Sequence, residues 1–358
     1  MRTRRYWLLA LPVRRFATLR TFFPAVLLAL FLTATTGYSF TALYALGDSL
    51  SDTGRNPAPP TNYFNGRHSN GPLWVEYLSP QLGFPYSSSN NFAVSGSTTA
   101  DLASQLAGLT PSPNLASGLF TVWSGGNDFK NNVNLGINDA GWSNVIAAAV
   151  LNLTNAIDAL YTDGAREVLV PNLPNLGEIP ALSGQPGSFR AYIDTKVALF
   201  NNLLAAALTN AMQRNLGLRI YPMDDNSLFV RIISTPATFG ITVTTNGALE
   251  DPNLTDKSFT GPGANYLFWD TLHPTTKVHA LIATLAYQAV GVQLNLARNG
   301  TNFNLTVLNL EPGLPYTIQS STNITIWSDT QTLTAASTNA TVVLTNGPST
   351  KTFYRVRY

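Results

Sequence analysis

The chain has 358 residues, 45% of them hydrophobic, a formal net charge of +2 and no cysteine. That length is ample for a sizeable core and exceeds one average domain. The absence of cysteine excludes disulfides, thiolate metal sites, thiol chemistry and lipoprotein attachment, and no clustered basic stripe points to a nucleic-acid partner.

The first forty residues read as an export signal. Arg2, Arg4, Arg5, Arg14, Arg15 and Arg20 precede an apolar run from Phe22 to Leu32, followed by the small and polar residues Thr33 to Gly37. The run is about a dozen residues, short of the roughly 20 that span a bilayer as a helix. A signal over residues 1–39 is expected, with an uncleaved anchor and a twin-arginine route through Arg4-Arg5 left open. The segment holds six of the 21 Lys and Arg and none of the 19 Asp and Glu, so its removal leaves 15 basic against 19 acidic groups, a charge of −4.

From residue 40 to 295, short apolar runs alternate with longer helix-like segments, the pattern of an α/β domain with a parallel sheet of about five strands covered by helices in three α/β/α layers. Strand candidates are Ala42–Leu46, Asn91–Val94, Leu119–Trp123, Arg166–Pro171 and Leu218–Pro222. Gly141–Tyr161 and Phe189–Arg214 have the length and spaced apolar residues of amphipathic helices. Thr275–Val290 follows as a closing helix, with Pro274 suited to its first turn. After Asn299 the pattern changes to short β-like runs punctuated by Pro, Gly, Asn and Ser: Asn304–Leu310, Tyr316–Ser320, Ile324–Trp327, Thr341–Leu344 and Phe353–Tyr358. Residues 300–358 are expected to form a small all-β module, near the lower size limit for independent folding.

Two short segments carry the chemistry. Gly47-Asp48-Ser49-Leu50-Ser51-Asp52 places a serine on the turn leaving the first strand, and Asp270-Thr271-Leu272-His273-Pro274 places a histidine three residues after an aspartate. Of the three histidines, His68, His273 and His279, only His273 has that neighbourhood. A serine hydroxyl becomes a nucleophile when a base removes its proton and an acid orients the base. Ser49, Gly96, Asn127 and His273 all follow predicted strands or precede helices, and in an open parallel sheet those ends share one crevice. The Gly-x-Ser-x-Gly elbow of α/β-hydrolases fits poorly, because this serine sits on the first strand and Asp270 lies too close to His273. His279 is expected to be structural and His68 a surface or hydrogen-bonded loop residue, with a place at the crevice entrance as the alternative. Asp48 and Asp128 read as turn or cap residues. Asp224-Asp225 reads as a solvated loop pair, and Trp123 and Trp269 as the tryptophans best placed to meet substrate.

The ordered set of motifs resembles the GDSL, or SGNH, hydrolase family over nearly all of residues 42–290. Family block I is matched by Ala45–Gly54, block II by Asn91–Gly96, block III by Gly125–Asp128 and block V by Asp270–Pro274. Gly66–Tyr77 is similar to a segment of secreted lipase and lecithinase-like members. The resemblance implies the SGNH hydrolase fold and a catalytic triad of Ser49, His273 and Asp270. It also implies an oxyanion hole from the backbone N–H groups of Ser49 and Gly96 and the side-chain amide of Asn127, with no metal and no organic cofactor. Ser95 departs from the family pattern, which often has a glycine there.

An exported esterase acting on lipid or short-chain esters is the favoured reading, a carbohydrate acetylesterase the alternative, and a non-catalytic surface binding protein the third. A lipid enzyme should show an apolar rim beside Ser49, and a sugar enzyme an aromatic platform with polar neighbours. The C-terminal module could contact polysaccharide or the cell surface, and nothing in the sequence names its ligand, the alcohol of the ester or an oligomeric state.

Overall fold

The computed structural model describes residues 9–10, 40–109, 113–291, 293–300, 302–308, 310, 313, 315–322, 326–337, 339–344 and 352–357. The apolar run Phe22–Leu32 expected to direct export lies outside them. The described residues divide into two compact units, one within Ser39–Ala289 and one within Val290–Tyr358 that also takes in Leu9–Ala10.

Among the described residues of the larger unit, four parallel strands run in sequence order across the sheet: β1 (Ala42–Gly47), β2 (Gly118–Trp123), β3 (Glu167–Pro171) and β4 (Arg219–Met223). Every position of β2 is buried, as expected for a parallel strand covered on both faces. Alternate side chains split between two layers. Leu46, Phe120, Val122, Val168 and Val170 meet a core built from α2 (Leu102–Ala107), α4 (Asp139–Thr162) and α5 (Gly187–Arg214). On the opposite face, Trp123 meets Trp74 of α1 (Trp74–Gln81) edge-on at 5.6 Å, and it shares a cavity wall with α6 (Asp225–Ser234) and α7 (Thr276–Gly291).

The long helices follow from their spacing. In α5 the buried residues Ile193, Val197, Phe200, Leu204, Leu208 and Ala211 fall three or four apart, one stripe of a 3.6-residue helix. The α4 helix begins at Asn138, whose side chain accepts the Gly141 N–H at 2.9 Å and so satisfies one orphan donor of the first turn. The remaining elements are α3 (Gly126–Asn132) and two short parallel strands, β5 (Val243–Gly247) and β6 (Tyr266–Phe268), which lead to α7.

The fifth strand candidate differs. Asn91–Val94 makes a single parallel bridge from Asn91 to Ala45. The Phe92 and Ala93 N–H groups both donate to Ala45 O, and Val94 N–H donates to Gly47 O. The Asn91 carbonyl accepts from the Arg55 guanidinium, so it is diverted from a regular ladder. Asp224-Asp225 also differs from the solvated loop pair expected. Asp224 caps α6 by accepting the Ser227 N–H at 3.2 Å, and Asp225 is buried in its first turn.

In the second unit, β7 (Gln293–Asn299) and β8 (Asn302–Leu308) form a hairpin, with Asn299 opposite Asn302, that is joined by β11 (Asn339–Leu344). The expected module start at 300 therefore falls inside its first hairpin. A second antiparallel sheet pairs β9 (Pro315–Ser321) with β10 (Ser328–Thr334) and β12 (Phe353–Arg357), and Leu9 lies opposite Tyr354 at its edge. Leu305, Val307, Tyr316, Ile318 and Val356 supply its buried core. The Ile324–Trp327 run is not a strand in its described part, Ile326 and Trp327, which precede β10.

Candidate active site

Ser49 sits two residues beyond β1, and the end of that strand fits only glycine. Gly47 has φ +142°, and a Cβ there would stand 2.0 Å from the Trp123 carbonyl oxygen. The buried Gln105 amide clamps this residue from both sides, accepting its N–H at 2.8 Å and donating to its carbonyl at 2.7 Å. The turn is closed by Asp48, whose carboxylate accepts the Leu50 N–H at 3.0 Å and whose carbonyl accepts from Ser51 and Asp52. Asp48 is thus the turn residue the sequence suggested. Burial pushes its carboxyl up to about 6.

The second segment lies between β6 and α7. Asp270 Oδ1 accepts the backbone N–H groups of Leu272 and His273, each at 2.7 Å, and folds the segment into a tight turn. The turn explains how a spacing of three residues brings carboxylate and imidazole together. His273 Nδ1 lies 2.7 Å from Asp270 Oδ2, and His273 Nε2 lies 2.8 Å from Ser49 Oγ. A carboxylate only accepts, so Nδ1 carries the proton and Nε2 is free to take one from the hydroxyl. Burial opposes ionisation of Asp270, but the hydrogen bond and charge of His273 and the two backbone N–H groups outweigh it and hold the carboxyl at about 2.

The other predicted site residues, Gly96 and Asn127, are tied to each other through Ser97. Gly96 has φ +87°, a conformation natural to glycine, directly after Ser95. Ser95 itself is anchored: its N–H and hydroxyl both donate to Asp52 Oδ2, at 2.7 and 2.8 Å. Asp52 is fully buried, and it also accepts the N–H groups of Gly54, Arg55 and Asn56. Asn127, in the first turn of α3, donates its side-chain amide to Ser97 O at 2.9 Å, one residue beyond Gly96. Asp128 accepts from the Thr99 N–H and hydroxyl, the structural use expected of it.

Ser49, Asn127 and His273 line one cavity of about 370 Å³. Its walls are mainly apolar, with Phe129, Leu173, Ile193, Leu228, Phe268 and Ile282 among them. Trp123 contributes to the wall, whereas Trp269 is fully buried elsewhere, with its indole N–H on Asn62 O at 2.8 Å. Of the two tryptophans singled out, one faces the cavity and one is core.

Sequence reasoning missed the groups behind the histidine. Tyr63 donates its hydroxyl to Asp270 Oδ2 at 2.9 Å. His68 is half-buried rather than at the surface, and its ring lies 4.7 Å from that of His273, tilted by 32°. Burial first, then the neighbouring His273, lower His68 to about 4. The segment carrying both residues is fastened to the Asp270–His273 turn by Ser69 Oγ on Pro274 O at 3.0 Å and Thr276 N on Asn70 Oδ1 at 2.8 Å. The run Gly66–Tyr77 was visible in the sequence, but its task of bracing the histidine turn was not. His68, Asp270 and His273 offer donor atoms within 4.8 Å of one another. Those of Asp270 and His273 already bind each other, Tyr63 and Ser49, an arrangement of acid–base machinery. His279 on α7 is fully buried, and burial lowers it to about 3.

Comparison with known proteins identifies the family. The chain is 24% identical over 314 residues to a GDSL esterase/lipase of Arabidopsis thaliana, covering 69% of this chain and 81% of that one. It is 25% identical over 314 residues to the phosphatidylcholine-sterol acyltransferase of Aeromonas hydrophila, covering 68% and 88%. The thermolabile hemolysin of Vibrio parahaemolyticus is 28% identical over 271 residues, covering 67% of this chain and 61% of the hemolysin. Among solved structures, an acetyl-xylooligosaccharide esterase mutant from Geobacillus matches with a TM-score of 0.43 and 16% identity, over 72% of this chain and 97% of that one. With the GDSL-like lipase/acylhydrolase family model matching residues 43–286, the chain belongs to that family and is a carboxylic ester hydrolase.

Proposed function

We propose that the chain is an exported serine esterase that cleaves lipid or short-chain acyl esters through an acyl-enzyme on Ser49. The observation that carries this reading is the unbroken run of hydrogen bonds from Ser49 Oγ through His273 to Asp270, at 2.8 and 2.7 Å. Ser49 Oγ attacks the ester carbonyl carbon while its proton passes to His273 Nε2. Asp270 holds the imidazolium that forms. The carbonyl oxygen becomes an oxyanion, met by the N–H groups of Ser49 and Gly96 and the amide of Asn127. Collapse expels the alcohol, which takes the proton from His273, and leaves the acyl group on Ser49. Water, deprotonated by the same histidine, then releases the acid.

The apolar cavity supports an acyl chain as its occupant. Its mainly apolar lining suits methylenes, with Lys130, Asn134 and Asp225 as polar residues among the apolar ones. Export is supported by the arginine-then-apolar order of residues 1–39.

The test is hydrolysis of p-nitrophenyl esters from acetyl to palmitoyl by the mature chain and by Ser49→Ala. Activity of the wild type that is lost in the variant is expected, with a preference for chains longer than acetyl. An equally active variant overturns the Ser49 mechanism. Activity on acetylated polysaccharide alone overturns the acyl-chain part and favours a carbohydrate acetylesterase.

A further inference from the structure

Tyr63 donates its hydroxyl to Asp270 Oδ2 across 207 residues of chain. The same oxygen receives His273 Nδ1–H, so a phenol and an imidazole share one carboxylate oxygen. We infer that Tyr63 is a positioning residue for the proton-accepting histidine, acting through Asp270 to fix its orientation and moderate its basicity. The kinetic consequence rests on the Ser49 mechanism; the effect on the histidine does not.

Three observations make this more than a packing contact. The loop is held beside Tyr63, where Trp269 Nε1 donates to Asn62 O, and the Tyr63 ring packs against the cluster of Trp269, Tyr266 and Leu254. The hydroxyl is therefore aimed. Burial, followed by the charge of Asp270, pushes its ionisation well above the usual tyrosine range, so it serves only as a donor. The Tyr63 ring also meets His68 edge-on at 5.4 Å, and His68 in turn lies against His273. One residue thus braces both halves of the pair, by a hydrogen bond on the carboxylate and by a ring contact relayed to the imidazole.

The chemical consequence has a definite sign. A donor on Oδ2 stabilises the carboxylate and weakens its support for a positive imidazolium. Removal of the phenol O–H leaves a stronger partner for the charged ring, so His273 takes its proton at higher pH and stops acting as a base sooner on acidification. The other ionisable groups around the pair remain present in the variant. They are Asp48 in the turn after β1 with Asp128 beyond it, Asp52 facing His68, His68 itself, Glu250 after β5 with Lys257 beside it, and His279 on α7.

The experiment follows the three histidines by proton–nitrogen NMR against pH in the full mature chain and in Tyr63→Phe, alongside the pH profile of kcat/KM on a p-nitrophenyl ester. The His273 midpoint and the acid limb are expected to move upward together. At neutral pH kcat should fall about fivefold with KM unchanged, the scale of one lost hydrogen bond. A fluorinated tyrosine installed only at position 63 keeps the shape and donates more strongly, so it should move the midpoint downward even where the phenylalanine variant folds poorly. A His273 midpoint that responds to neither change overturns the inference, as does a fall in kcat that is uniform across pH. The NMR readout needs no turnover, so a wild type that cleaves no ester sinks the Ser49 mechanism and leaves the Tyr63 test readable.

Discussion

Ser95 donates both its N–H and its hydroxyl to one oxygen of Asp52, at 2.7 and 2.8 Å. The residue that departs from the family pattern is therefore the one that fastens the loop carrying Gly96. Ser95→Ala removes one of the two bonds while leaving the backbone path alone. The expected cost is about 1 kcal/mol of stability, the usual worth of a buried hydrogen bond. Turnover should fall several-fold, with KM little changed, and Ser95→Thr should restore most of it. Thermal melts and steady-state kinetics on the same preparations check both parts.

Asn127 donates one N–H of its side-chain amide to Ser97 O, which leaves the second N–H to meet the oxyanion of the proposed reaction. Asn127→Ala is expected to lower kcat by about 10²–10³, the cost of one missing donor at such a site, with a small change in KM. A loss confined to KM would place the amide in substrate binding and not in charge stabilisation.

The two histidines at the site should separate cleanly. His273→Ala removes the proposed base and is expected to reduce turnover by about 10⁴ or more. His68 is neutral at the pH of the reaction and contacts His273 through ring packing. His68→Phe retains that packing and should keep activity within about threefold, a change below one hydrogen bond in energy. Side-by-side kinetics of the two variants decides whether His68 carries protons.

The cavity makes a chain-length prediction. Each buried methylene is worth up to ~0.8 kcal/mol, or about fourfold in kcat/KM, until the space is filled. Leu228→Trp, on the α6 wall, should remove the gain for longer chains while sparing the acetyl ester. A profile shifted equally at all lengths would place Leu228 outside the acyl path.

The two buried histidines should cost stability on acidification. His68 and His279 are held below their ordinary value, at about 4 and about 3, by burial. The unfolded chain binds those protons first, so their contribution is present above about pH 6.5 and is lost as pH falls toward 4 and 3. Asp48 acts in the opposite sense, because its carboxyl is raised to about 6; its contribution is present at acid pH and lost as pH rises through 6. The two histidines contribute a loss between pH 6.5 and 4, at most about 1.4 kcal/mol per pH unit for each, and Asp128, Glu167, Asp194 and Glu250, whose carboxyls burial also raises, oppose it with Asp48. His279→Leu should flatten the melting-temperature slope in that window, and Asp48→Asn should steepen it.

The parts of the site that chain order announces are those set by local geometry. Gly47-Asp48-Ser49 needs only the end of a strand, and Asp270 reaches His273 through its own turn. What was hidden depends on distant chain: nothing around Tyr63 says that its hydroxyl will find a carboxylate 207 residues away. The Asn91–Val94 run has the apolar character of a strand, and tertiary bonds to Arg55 and Ala45 decide that it becomes a single bridge. Asp224 reads as a solvated acid in the sequence, although Leu228, Phe229 and Ile232 after it have helical spacing, the sign of a helix for it to cap.

That single bridge has a further consequence. Ser49, the proposed nucleophile, follows β1, an outer strand of the sheet among the described residues, and outer strands are where fraying begins. The N–H groups of residues 92–94, just ahead of Gly96, are sewn to the carbonyls of Ala45 and Gly47, just ahead of Ser49. If the margin lifts, Ser49 and the loop that carries Gly96 are carried off in one motion. Heat inactivation should therefore be all-or-none at the active site, with no species that binds ester but turns it over slowly.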